Sequence, residues 1–215
     1  MSSIKLKHSG GNSVSLNPPT SAPTSSEVAF KLPTSDGSAG QVLMTDGSGN
    51  LSWVNPGGIS MAETWRLTSN ITNNGSENVI TANLAKQSNP SGYGKVGTET
   101  MTESSGVFTF PSTGIYYIIA NSMQYSLGDS TVANGPSILI NTTTDNSSYS
   151  RASYGAQAVP TTYDYASANC HYIFDVTNVS THKVRFSHSG ASGSIVAGSA
   201  NDSQTHFLFM KLGET

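Results

Sequence analysis

Hydrophobic residues in this chain fall in short alternating runs, separated by clusters of Gly, Asn, Ser and Pro. Period-two runs bounded by turn residues predict β-strands, and no segment carries the three-to-four spacing of a long amphipathic helix. From Met61 onward the runs are dense and predict strands near Thr64 to Ser69, Asn78 to Leu84, Gly106 to Phe110, Ile115 to Tyr125 and Ser137 to Asn141. Further strands are predicted near Ser150 to Gly155, Asn169 to Val176, Lys183 to His188, Ser194 to Ala197 and Thr205 to Leu212. About ten strands with no helix between them predict an all-β sandwich or jelly roll.

Two runs are apolar on both alternating sets. In "IYYIIANSMQY", Ile115, Tyr117 and Ile119 share one face and Tyr116, Ile118 and Ala120 the other; in "HFLFMKL", Phe207 and Phe209 oppose Leu208, Met210 and Leu212. A sandwich strand needs only one apolar face, since the other normally meets water. A second cover is therefore expected, from copies of the same chain or, as the alternative, from a third layer of the chain's own loops. The expected inter-subunit residues are Tyr116, Tyr117, Ile118, Phe207, Phe209 and Met210. By contrast "KVRFSH" alternates cleanly, which predicts Val184 and Phe186 inward and Lys183 and Arg185 on a water-facing surface.

Residues 1–60 read differently. They hold "SLNPPTSAPTSSE" and isolated apolar pairs that cannot fill a core of their own. "TSDGSAG" and "MTDGSGN" repeat Asp-Gly-Ser, predicting two similar turns, the second between Val42-Leu43 and Leu51-Ser52-Trp53. The expectation is an extended arm, joined at "VNPGGIS" to a domain over 61–215. Its side chains Phe30, Leu32, Val42, Leu43, Leu51 and Trp53 would dock on a partner surface, Trp53 having no local burial site.

Charge narrows the partners. Only 11% of the 215 residues are charged and the net charge is -3, which leaves no basic field for nucleic acid. No run is long enough to insert in a bilayer, and the N-terminus lacks an apolar signal-peptide core, so synthesis in the cytoplasm is expected. The one cysteine, Cys170, excludes an intrachain disulfide and reads as a buried thiol.

No catalytic constellation emerges. Gly128-Asp129-Ser130 lacks the Gly-x-Ser-x-Gly elbow, His171, His182, His188 and His206 form no ligand spacing, and the aspartates are isolated. Neither an enzyme nor a cofactor or metal site is expected. The polar loops "TTTDNSSYSRASYG" and "VPTTYDYASAN" supply Tyr149, Arg151, Tyr154, Tyr163 and Tyr165, a set suited to adaptable recognition or, equally, to stabilising an edge strand.

"SSGVFTFPSTGIYYI" resembles the signature of C1q-like globular domains: Phe108 and Phe110 on one strand, Pro111, a turn at Gly114, and Tyr116 opening the next strand. "SQTHFLFMKL" is similar to that family's last strand. The resemblance implies a ten-stranded jelly roll related to the tumour necrosis factor fold, assembled as a homotrimer around a threefold axis. No Gly-x-y repeat is present for a collagen stalk. The arm, "IKLKHSGG" through "DGSGNLSW", resembles N-terminal segments of virion structural proteins of tailed bacteriophages, notably those of marine hosts. That implies a fibre, knob or capsid-decoration protein on the particle surface, bound to capsid or tail proteins and released by lysis. The alternative is a receptor-binding fibre tip that recognises a host-surface glycan or protein.

Overall fold

The computed structural model describes residues 4–25, 27–54, 58–88, 95–126, 135–157 and 165–215. The chain divides into two units, Met1–Pro56 and Gly57–Thr215.

The first unit contains two hairpins. β1 (Ile4–Lys7) pairs with β2 (Ser13–Leu16), and β3 (Val42–Thr45) pairs with β4 (Leu51–Val54), both antiparallel. In the β1–β2 register Ile4 faces Leu16 and Leu6 faces Val14, so four aliphatic side chains share one exposed side. The β3–β4 turn is held by Asp46, whose carboxylate accepts the amides of Ser48 (2.7 Å) and Asn50 (3.1 Å) and the Asn50 side-chain amide (2.6 Å). The Asn50 side chain first, then the Ser48 amide, lowers the Asp46 pKa.

The second unit is a two-sheet sandwich with thirteen strands among the described residues. They are β5 (Met61–Leu67), β6 (Ile71–Thr72), β7 (Asn78–Val79), β8 (Leu84–Lys86), β9 (Thr102–Ser104), β10 (Val107–Thr109) and β11 (Gly114–Tyr125), followed by β12 (Ser137–Thr143), β13 (Ser150–Ala156), β14 (Tyr165–Val176), β15 (Lys183–Ser189), β16 (Ile195–Val196) and β17 (His206–Gly213). One sheet runs β14-β11-β17-β5-β8, with β16 and β6 continuing beside the end of β11; the other runs β13-β12-β15-β10-β9, with β7 on β15. The strand predicted over Asn78 to Leu84 is divided, because Asn83 turns the backbone into the left-handed region (φ 60°).

The core lies between the sheets and is aromatic. Phe186 and Phe207 stack at 3.9 Å between centroids, Phe108 meets Trp65 edge-on at 5.2 Å, and Phe110 lies 4.6 Å from Tyr116. Offset and edge contacts of this kind add to the stabilisation from burial alone. They also explain the "VFTFPSTGIYY" motif: alternation sends Phe108 and Phe110 inward, and the Tyr116 hydroxyl donates to the Ser112 carbonyl (3.0 Å), closing one end of the sandwich. Gly114 sits at φ 146°, where a Cβ would lie 2.4 Å from Lys211 Cε and 2.7 Å from the Gly213 carbonyl oxygen. Only glycine fits that approach.

Cys170 is buried beside the Ile138 carbonyl, and burial pushes its thiol up to about 11. Such a thiol is held protonated and is a poor nucleophile.

Candidate functional surfaces

Three surfaces carry the residues singled out from sequence. The first is the outward face of the β14-β11-β17 sheet. Strand alternation there puts Ile115, Tyr117, Ile119, Met123 and Tyr125 of β11 beside Leu208, Met210 and Leu212 of β17 and His171 and Ile173 of β14. Tyr117 and Met210 are thus on this face. Tyr116, Ile118, Phe207 and Phe209 are not: all four are fully buried in the core between the sheets. The expected inter-subunit set mixed both faces, because two apolar faces carry no mark of which one is interior. What remains open is the other alternating set, with Tyr165, Ile173 and Leu212 exposed and the rest half-buried to exposed.

The second surface is the outward face of the β13-β12-β15 sheet. Val184 and Phe186 point inward there, while Arg185 points outward. Yet that outward face does not simply meet water. Ser137, Leu139, Asn141 and Thr143 of β12 and Lys183 and Ser187 of β15 are all buried. The cover is local: Tyr149 lies on the Arg185 guanidinium at 4.0 Å, and Arg151 reaches from β13 to an ion pair with Glu77 at 2.9 Å. Arg151, Asn141 and Arg185 occupy adjacent positions on three neighbouring strands, and Asn141 donates to the Ser187 hydroxyl (2.9 Å). Tyr154, paired with Leu139, stands beside Arg151 at 5.3 Å and is 54% exposed.

Tyr149, Arg151 and Tyr154 therefore form one cluster. Tyr165 stands apart, at the far end of β14, 5.4 Å from Tyr125, and Tyr163 lies outside the described residues. Arg185 and Glu77 were not on the sequence-derived list. Arg185 was assigned to an outer face without a role; only the loop carrying Tyr149, folded back over the sheet, reveals its stacking partner.

The third surface belongs to the first unit. Phe30 and Leu32 are exposed, Val42 and Leu43 partly so, and Leu51 is half-buried. Trp53 does have a local contact, contrary to expectation: its indole N–H donates to the Ser35 carbonyl (3.0 Å), and a Cβ on Gly37 would lie 2.6 Å from its ring. The first Asp-Gly-Ser copy is thus a cover for the tryptophan of the hairpin that the second copy closes. Segment 29–37 is also tied to the hairpin by Lys31, whose amide donates to the Gly49 carbonyl and whose carbonyl accepts from Leu51, both at 2.8 Å.

The described residues hold no cluster of three or more His, Cys, Asp or Glu placed to bind a metal. His188 is buried with Nδ1 2.7 Å from Asn73 Oδ1; because the Asn73 amide donates to Gln124 Oε1 (3.0 Å) and Ser194 Oγ (2.9 Å), Nδ1 must carry the proton. Burial lowers the His188 pKa to about 4.

The sandwich is a jelly roll of the tumour-necrosis-factor type. It superposes on the Eiger TNF of S. frugiperda with a TM-score of 0.50 at 10% identity, over 74% of this chain and 96% of that one. Murine APRIL aligns with a TM-score of 0.49 at 8% identity, over 71% and 98% of the two chains. The PRD1 vertex protein P5 aligns with a TM-score of 0.41 at 16% identity, over 73% and 100%. No family model and no curated protein matches the chain by sequence.

Proposed function

We propose that the chain is a structural protein of a bacteriophage virion: a homotrimeric jelly-roll knob, on the head or tail, fixed to the particle by residues 1–60. The observation that carries the trimer is the outward face of β11, β14 and β17, where Tyr117, Ile119, Leu208 and Met210 form a continuous apolar patch, with the charged Asp175 set at one end of the face beside Ile115. Burial of such area is favourable at roughly 25 cal/mol per Å², and identical faces around a closed axis supply the cover. Anchoring is supported by the first unit, which presents Ile4, Leu6, Val14 and Leu16 of its first hairpin, and Phe30 and Leu32 of the segment ahead of its second, to the outside. A two-stranded hairpin is marginal in water by itself, which favours docking on capsid or tail proteins.

Light scattering on the full chain tests the assembly. A trimer is expected, with Tyr117→Lys and Met210→Lys together giving a folded monomer; a wild-type monomer overturns the reading. For anchoring, a tagged chain carrying Leu43→Asp and Trp53→Ala is supplied during infection. Loss from purified particles with retained trimer is expected, and undiminished incorporation refutes it.

The Tyr149, Arg151 and Tyr154 cluster favours a second reading, in which the knob also recognises a host-surface glycan or protein. It lies on the sheet opposite the apolar face, and so stays open in the proposed trimer. Alanine at all three positions should abolish adhesion of the trimer to host cells; adhesion at the wild-type level would refute this reading.

A further inference from the structure

We infer that the outward face of the β13-β12-β15 sheet is a binding site for an oligosaccharide bearing carboxylates, with Arg185 and Tyr154 as its two principal contacts. This rests on the recognition reading above and gives it a chemical class of ligand.

Charge is the first reason. The face carries Arg151, Arg185 and the buried Lys183 against Glu77 and Asp145, a net positive surface in a chain whose net charge is negative. Glu77 already pairs with Arg151 at 2.9 Å, and among the described residues no carboxylate lies within ion-pair distance of Arg185. Arg185 is instead stacked under Tyr149 at 4.0 Å, and its Nε is buried without a hydrogen-bond partner. The stack fixes the guanidinium plane and, with Nε closed off from solvent, leaves the two terminal nitrogens for a planar, two-oxygen acceptor.

Shape and polarity point from an anion to a saccharide. Tyr154 offers an exposed ring on the outward face of the sheet, a surface on which a sugar ring can stack. Between Tyr154 and Arg185 lie Arg151 and Glu77, which supply guanidinium and carboxylate groups for hydroxyls that both donate and accept. The two contacts are two strands and two residues apart, about 12 Å by strand spacing and rise. One sugar ring is too short for that span, so the ligand is a chain of sugars. Its ring stacks on Tyr154, its hydroxyls meet the Arg151–Glu77 pair, and its carboxylate meets Arg185.

Calorimetry on the full-length protein tests this with three probes: a hexamer of galacturonic acid, maltohexaose and hexaglutamate. The galacturonate hexamer is expected to bind at least tenfold more tightly than either of the others. Tyr154→Ala and Arg185→Gln should each weaken it at least tenfold, with the melting temperature unchanged in Tyr154→Ala. Should Arg185→Gln fail to fold, Arg185→Lys keeps the charge, removes the bidentate edge, and should still weaken binding. Equal binding of hexaglutamate, absence of galacturonate binding, or Tyr154→Ala binding like wild type would each overturn the inference. Host-cell adhesion separates the two levels: adhesion that depends on Tyr154 without galacturonate binding defeats only the ligand class, and no adhesion at all defeats the recognition reading.

Discussion

Trp65 and Trp53 stand in the two units of the chain and show how differently those units are built. Trp65 is 7% exposed, meets Phe108 edge-on at 5.2 Å, and donates its N–H to the buried Glu63 carboxylate at 2.7 Å. Glu63 also accepts the Met101 amide (2.8 Å), so the ring, the carboxylate and the chain at 100–101 fix one another. Trp53 is 39% exposed; it has a backbone carbonyl for its N–H and a glycine against one face. Both donors are satisfied, but only Trp65 has a second layer of side chains over it. Polar satisfaction is a local matter that a hairpin and a crossing segment can achieve, whereas apolar burial needs two opposed sheets.

The contrast predicts mutational effects that differ at least about sixfold in free energy. Phe108→Ala should cost about 3–5 kcal/mol in denaturant unfolding, whereas Phe30→Ala, at a position 65% exposed, should stay within about 0.5 kcal/mol. A comparable loss at Phe30 would mean that the first unit is packed in solution as the knob is.

Acid should next distinguish the units. His188 is held neutral, its pKa lowered by burial from 6.5 to about 4, and the groups bonded around it, Asn73, Gln124 and Ser194, are uncharged. Above pH 6.5 neither state binds the proton and the stability is fully present. Between 6.5 and 4 the unfolded chain takes up a proton that the native knob refuses, so stability falls with pH, by about 3 kcal/mol at about 1.4 kcal/mol per unit. Below 4 both states are protonated and this contribution levels off. His188→Gln should flatten the slope in that window, and an unchanged slope would remove His188 as its source.

Gly114→Ala should cost about 2 kcal/mol, from an unfavourable φ and a Cβ pressed on Lys211 and Gly213. The effect should appear in thermal unfolding of the knob; a melting temperature equal to wild type would show that the β11 entry relaxes freely. The smallest effect is expected at Gly37→Ala. It should displace the Trp53 ring and alter its fluorescence while shifting the knob's stability by less than about 0.5 kcal/mol.

Much of the knob was legible before any coordinates. Period-two runs gave the strands, and the inward set of "KVRFSH" was unambiguous because its other set is charged. The β11 and β17 runs were legible as strands but not as faces. Nothing in "IYYII" distinguishes Tyr116 from Tyr117, and only pairing with β14 and β17 in a twisted sheet opposite Phe108 assigns the interior. The cluster of Tyr149, Arg151 and Tyr154 was half-visible: these residues stood out in polar loops, while Glu77 and Arg185, distant in sequence, did not.

The sequence by itself determined the all-β class, the positions of the longer strands, the glycine at the entry to β11 and the unlike character of residues 1–60, because alternation, turn chemistry and composition are local properties of the chain; the short strands β6 and β9 escaped it. Tertiary structure alone decided which apolar face became core, that Ser35–Gly37 would cover Trp53, and that Arg185 would lie under Tyr149. Each of those depends on segments far apart in the chain meeting at a fixed register, and a register is chosen by the burial summed over a whole sheet, which no single run contains.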